Sequence, residues 1–154
     1  MRQAFTIISL LWILQGCTTE GSQIQDVAVD EARLQLKTEM SKALDERMNG
    51  KAILKENYLQ KILDRTEIEV IETEKTEAQA KVQVRIKTVP LKVREALTDI
   101  MVKIDPSQEN NFNVPDALIL IFKQYKLNSS AVQEIKKVIE LKKDGVWKAQ
   151  PATL

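Results

Sequence analysis

Histidine is absent from this chain of 154 residues, and cysteine occurs once, as Cys17. Histidine is the commonest general base and metal ligand, so its absence removes the Ser-His-Asp relay and the usual zinc site. A single thiol excludes an intramolecular disulfide and a thiolate metal cluster. The fold must therefore rest on an apolar core alone.

Glycine is also scarce, with four residues, and none of them belongs to a phosphate-binding loop motif. Lysine and arginine number 23 against 22 acidic residues, which gives no global field that would attract nucleic acid. The carboxylates fall into two groups: a predicted solvated hairpin face, and a set near an Asn-rich loop that lacks EF-hand spacing. The first comprises Glu67, Glu69, Glu72, Glu74 and Glu77, and the second Asp99, Asp105, Glu109 and Asp116. We therefore predict no catalytic residue, no metal and no cofactor, and hence no enzyme.

An apolar run of eleven residues, 4–14, follows Arg2 near the amino terminus. At about 1.5 Å per residue it is too short for the roughly 30 Å hydrocarbon core of a bilayer. A positive start, a short apolar stretch and a small residue, here Gly16, are typical of a secretory signal peptide. We predict such a peptide over residues 1–16.

The tetrapeptide Leu14-Gln15-Gly16-Cys17 closes that run and resembles the lipobox of bacterial lipoprotein precursors. The resemblance implies a diacylglyceryl group on the Cys17 sulfur and cleavage just before it. Residues 17–27 would then form the lipid anchor and a polar tether, and residues 28–154 a single domain. Thr18, rather than Asp, after the cysteine favours the outer membrane facing the periplasm in a Gram-negative source, and otherwise the outer face of the cell membrane. The sequence leaves the source type open.

Apolar residues at helical spacing predict the first helices of the domain. One stripe comprises Val29, Ala32, Leu36, Met40, Ala43 or Leu44, and Met48. Asn49-Gly50 should end that helix, and a second should cover residues 51–64, unless the two form one long helix broken at Gly50. Further helices are predicted after Pro90 and over 115–126, the second being the expected core helix. Between them, Phe112 is expected to enter the core rather than to face a partner.

Alternation of small or apolar with polar residues over 78–87 predicts a strand with one buried face. Residues 67–70 alternate as well, so we expect an antiparallel hairpin with Glu67 and Glu69 near Arg85 and Lys87. Because its apolar residues are all even-numbered, the loop must have an odd length unless a bulge shifts the register.

A second hairpin is predicted around Lys143-Asp144-Gly145, with Gly145 in the positive-φ position and Leu141 and Trp147 on one face. Its first strand should cover about 132–142. A capping box at Ser130 and the helical spacing of Val132, Ile135 and Val138 leave a helix open for that stretch.

The order of elements and the closing segment Lys142-Lys143-Asp144-Gly145-Val146-Trp147-Lys148 resemble cystatin-like and nuclear-transport-factor-like lipoproteins. This resemblance implies an α+β fold, in which N-terminal helices pack on a curved antiparallel sheet of about four strands. We predict a lipid-anchored envelope protein that binds a protein partner or a small apolar ligand through a non-catalytic site. A scaffold without a pocket is the first alternative, and a carboxylate-based hydrolase of the same fold is the second. The predicted partners are the membrane, through the lipid on Cys17, and an envelope protein or apolar ligand, but not nucleic acid.

Overall fold

A computed structural model describes residues 8–151 of the chain, with side chains from residue 20 onward. The start of the predicted signal peptide and the side chain of Cys17 therefore lie outside the described residues. The elements in chain order are α1 (Ile8–Asp45), α2 (Ala52–Leu63), β1 (Glu67–Lys75), β2 (Gln79–Thr88), α3 (Leu91–Val102), a 3-10 helix (Pro106–Asn111), α4 (Val114–Gln124), β3 (Gln133–Asp144) and β4 (Val146–Ala149). The strands form one antiparallel sheet in the order β1-β2-β3-β4. The predicted α+β class is confirmed.

The core lies on one face of the sheet, where α1 runs across all four strands. On β2 the residues that face α1 are fully buried, and they include Val82, Val84 and Ile86. On α1 the buried residues recur every fourth position, which keeps them on one side of a helix. They are Ile24, Ala28, Ala32, Leu36, Met40 and Leu44. We call the other face of the sheet, which no described helix covers, the open face.

The packed domain begins earlier than the sequence suggested. Ile24 is 1% exposed and Ala28 is fully buried, although residues up to 27 were assigned to a tether. The polar residues around Ile24 give this segment the composition of a linker. One apolar side chain at the right helical spacing nevertheless places it in the core, because Ile24 precedes Ala28 by one turn and continues the buried stripe.

A β-bulge in β1 settles the register of the first hairpin. Ile68 pairs with Ile86 and Val70 with Val84, but after the bulge Thr73 pairs with Val82. The extra residue, Ile71, changes the parity of the pairing, and a hydrogen bond from Thr76 N to Gln79 O closes the turn. The bulge that the sequence allowed is thus present, and β1 reaches Lys75 through residues expected in the loop.

The second hairpin agrees with its prediction. β3 is a strand, Gly145 has a φ of 72°, and Leu141 and Trp147 are buried on the face toward α1. Val138, by contrast, is 58% exposed on the open face. The helical alternative fails because it would have put Val138 on the same side as Ile135.

The remaining helices follow the predicted boundaries closely, but their packing differs. Gly50, with a φ of 80°, separates α1 from α2, and Asn113 caps α4 by accepting a hydrogen bond from Asp116 N. α4 packs on α2 and α3, so the helix against the sheet is α1 rather than the expected core helix. The buried residues of α4 lie on one face, as in a helix at the periphery of a domain, and Leu120 on another face is 65% exposed. Phe112 is partly buried against the core.

Two buried charges, which the sequence did not reveal, join helix ends. The ammonium of Lys51 donates to the carbonyl oxygens of Met101, Val102 and Ile104 at 3.1, 2.5 and 2.5 Å. These carbonyls lie at or just beyond the C-terminal end of α3, where a cation is favoured. Glu109 in the 3-10 helix is 5% exposed and accepts a hydrogen bond from Leu54 N in the first turn of α2. Lys51 and Glu109 therefore fix α2 to α3 and to the 3-10 helix.

Candidate functional site

The first described side chain after Cys17 is Glu20, and it lies at the hairpin end of the sheet. One carboxylate oxygen accepts hydrogen bonds from Lys143 Nζ at 2.7 Å and from Trp147 Nε1 at 3.3 Å. The other accepts one from Lys75 Nζ at 2.7 Å. We call these four residues the clamp. The clamp holds α1 to the ends of both hairpins, three residues after the predicted lipid-attachment site.

Electrostatics favour an ionised Glu20. The hydrogen bonds from Lys143 and Lys75 lower the pKa of the carboxyl from 4.5 to about 2. Both ammonium groups also lie over the indole of Trp147, at 5.8 and 5.9 Å from its centroid, which adds a cation–π attraction. The clamp therefore stays intact throughout the neutral and weakly acidic range.

The local fold explains how the clamp residues meet. The bulge in β1 turns Lys75 toward the α1 side of the sheet, opposite Ala80. In the second hairpin Lys143 pairs directly with Trp147 around Gly145, so both side chains point to the same side. Without the bulge, Lys75 would point to the open face and Glu20 would lose one partner.

The open face carries mostly charged side chains, arranged by strand. β1 presents acidic residues and β2 presents basic and amide residues, while β3 mixes both signs. These residues are Glu67, Glu69, Glu72 and Glu74; Gln79, Lys81, Gln83, Arg85 and Lys87; and Glu134, Lys136, Glu140 and Lys142.

Of the two glutamates predicted to form cross-strand ion pairs in the first hairpin, Glu69 forms them on this face, while Glu67 lies opposite Lys87 in the register. Glu69 accepts a hydrogen bond from Lys87 at 2.8 Å and lies 3.6 Å from Arg85. The bond from Lys87 lowers the pKa of Glu69, and the same bond raises the pKa of Lys87. Paired charges of this kind form a solvated surface that a polar partner can contact.

Three surface depressions were found, and all are lined mainly by polar residues. The largest, 630 Å³, lies along exposed residues of α1 from Leu34 to Glu46. One of 350 Å³ lies on the open face between Glu72, Lys81 and Val138. The third, 310 Å³, lies between α2 and the 3-10 helix, where asparagines surround Phe112. None of the three is an apolar chamber between the sheet and the helices.

The carboxylates considered in the sequence do not converge. Asp99 pairs with Arg47, Asp105 caps the 3-10 helix, and Glu109 is buried beneath α2. In residues 20–151 no three candidate ligands come together as a metal site. The sequence missed Glu20 as a structural residue, since its partners are 55 and more residues away.

No protein-family model matches this α+β chain, and no curated protein or solved structure is significantly similar to it. Membership of the cystatin-like group stays a prediction. Across residues 8–151, no helix has the length and apolar character needed to cross a bilayer.

Proposed function

We propose that this protein is a lipid-anchored module of the bacterial envelope that binds a protein partner without catalysis. The lipobox-like segment ending at Cys17 supports the anchor. The charged open face supports a protein partner, and none of the observed depressions forms an apolar chamber that would enclose a small ligand.

The observation that carries the proposal is the position of the clamp relative to Cys17. Glu20 lies three positions after Cys17, and three helical positions advance by only about 4.5 Å. A lipid on Cys17 would thus be attached almost directly to the folded domain. Two or more acyl chains give a stable anchor, since each buried methylene contributes about 0.8 kcal/mol. The domain would therefore stay close to the headgroups instead of moving on a long tether.

Intact-mass spectrometry of the chain from a bacterial host tests the anchor. We expect a polypeptide that begins at Cys17 and carries a diacylglyceryl group, and we expect Cys17→Ala to remain uncleaved and unlipidated. A wild-type chain that begins at Met1 without added lipid would refute the anchor.

Cross-linking in intact cells tests the binding face. Lys81 lies on the open face and pairs with Glu140, while Lys61 lies on α2 and pairs with Asp64. The two lysines are exposed and each has one acidic partner, so Lys81→Glu and Lys61→Glu are matched. We expect an envelope protein that is cross-linked by wild type and by Lys61→Glu but not by Lys81→Glu. Equal yields from both variants, or no specific protein with wild type, would contradict the proposal.

The pocketless scaffold is the second candidate, favoured by the lack of an apolar chamber among the observed depressions. A scaffold differs from a binding module for one partner in the number of proteins that it contacts. A scaffold would contact several proteins through more than one surface, so Lys61→Glu would also change the set of cross-linked proteins.

A further inference from the structure

The edge of β3 is only partly covered. β4 pairs with β3 over Leu141–Asp144, and one more bond runs from Gln150 N to Glu140 O. Because successive residues in a strand direct their backbone groups to opposite sides, the outward groups belong to even-numbered residues, as Glu140 O shows. Glu134, Lys136 and Val138 therefore direct N–H and C=O groups to an edge that has no partner strand among residues 20–151.

The opposite edge of the sheet is protected against pairing. β1 carries four glutamates on the open face and a bulge at Ile71, and both features discourage addition of another strand. A second β1 would bring its own glutamates against these. The edge of β3 has no bulge, and its charges are of both signs.

We propose that this edge of β3 pairs with β3 of a second copy of the chain. The strands run antiparallel about a two-fold axis at Ile135, which makes one continuous sheet across the dimer. Glu134 of each copy then lies opposite Lys136 of the other, and each such pair exchanges both backbone hydrogen bonds. Val132 of each copy lies opposite Val138 of the other.

Charge and exposure favour this register, and they favour a second copy of the chain as the partner of the edge. Lys136 lies opposite Arg85 of β2 and has no acidic group within 4.0 Å among residues 20–151. Glu134 of a second copy would supply that missing countercharge. Val132 and Val138, which are 48% and 58% exposed, would cover each other. Moving the axis by one residue would instead set Lys136 against Lys136, or Glu134 against Glu134, and like charges directly opposite are unfavourable.

The dimer is also compatible with the proposed lipid anchor, although it does not depend on it. A two-fold axis perpendicular to the sheet leaves both α1 helices on the same side. Both anchors could enter one bilayer on that side, and the open faces of both copies would remain free for a partner.

Charge reversal, with the mass of the full chain in detergent measured by sedimentation equilibrium, tests the dimer. We expect wild type to change from monomer to dimer as concentration rises. Glu134→Lys and Lys136→Glu should each weaken dimerisation about tenfold, because both symmetry-related pairs become repulsive. An equimolar mixture of the two variants should restore the dimer, since the doubly positive edge of the first variant then faces the doubly negative edge of the second. Glu140→Lys, on the same strand but beyond the interface, is the matched control and should dimerise as wild type does.

Three results would overturn the proposal. The first is a wild-type chain that stays monomeric up to about 1 mM, a concentration at which even weak complexes form. The second is a pair of single variants that dimerise like wild type. The third is a mixture of the two variants that does not form the dimer. Recovery in the mixture also shows that the single variants are folded. Loss of the dimer together with an intact lipid on Cys17 would leave the proposed anchor standing.

Discussion

Replacing Lys51 with methionine should destabilise the fold by about 3 kcal/mol. The lysine is 9% exposed, and its ammonium serves three carbonyls at the end of α3. A hydrogen bond to a charged group contributes about 1.5–3 kcal/mol net. Val102 is 38% exposed, so water can reach its carbonyl, and we count only the bonds to Met101 and Ile104, at the lower value. Methionine keeps the apolar stem and isolates the loss of the charge.

Urea unfolding, followed by far-UV circular dichroism, measures this change. With a slope of about 2 kcal/mol per molar urea, the midpoint should fall by about 1.5 M. Lys55→Met is the matched control, because Lys55 lies one turn later in α2 and pairs with Asp45 near the surface. A surface ion pair contributes about 0–1 kcal/mol. If the two variants differ by less than about 1 kcal/mol, the carbonyls do not depend on Lys51 and our reasoning fails.

Three further predictions concern the hairpins and the clamp. Because the pKa of Glu20 is lowered from 4.5 to about 2, the stability that the ionised clamp contributes is complete above pH 4.5 and is lost as the pH falls toward 2. Thermal melts should show a flatter decline for Glu20→Gln, and a decline equal to that of wild type would contradict the role of Glu20. The hydroxyls of Thr66 and Thr88 are buried 2.9 Å apart, so Thr66→Val should lower the free energy of unfolding in urea by about 1–2 kcal/mol, and the double valine variant should lose no more than that. Additive losses from the two substitutions would refute the pairing. Gly145→Ala should destabilise the fold by about 1 kcal/mol because Gly145 has a φ of 72°, while Gly21→Ala, in open space on α1, should stabilise the fold by about 0.5–1 kcal/mol. Equal effects of the two substitutions on the melting temperature would show that backbone conformation does not explain them.

Local patterns predicted most of the secondary structure. The alternation over 78–87 identified β2, and Gly145 identified the turn between β3 and β4, because each signal depends only on neighbouring residues. For residues 132–142 two local patterns competed. The segment forms a strand, because a strand places Ile135 and Ile139 on the α1 side of the sheet and leaves Val138 facing solvent.

The parts that sequence did not predict depend on distant partners. Ile24 lies among polar residues, and only its packing with the sheet shows that it belongs to the core. Lys51 resembles any surface lysine until the end of α3 lies beside it. Glu20 resembles a linker residue until both hairpins are in place. The register could be limited to two possibilities, but no local signal marks Ile71 as the bulged residue.

The span of the clamp along the chain has a consequence for biosynthesis. Glu20 contacts Trp147, 127 positions later, and α1 packs on strands from both halves of the chain. Neither the first helix nor the sheet can reach its final packing while the last hairpin is still inside the ribosome. Contacts between such distant residues also form slowly, because a long loop must close first. The newly made chain therefore cannot complete its fold until synthesis is nearly finished.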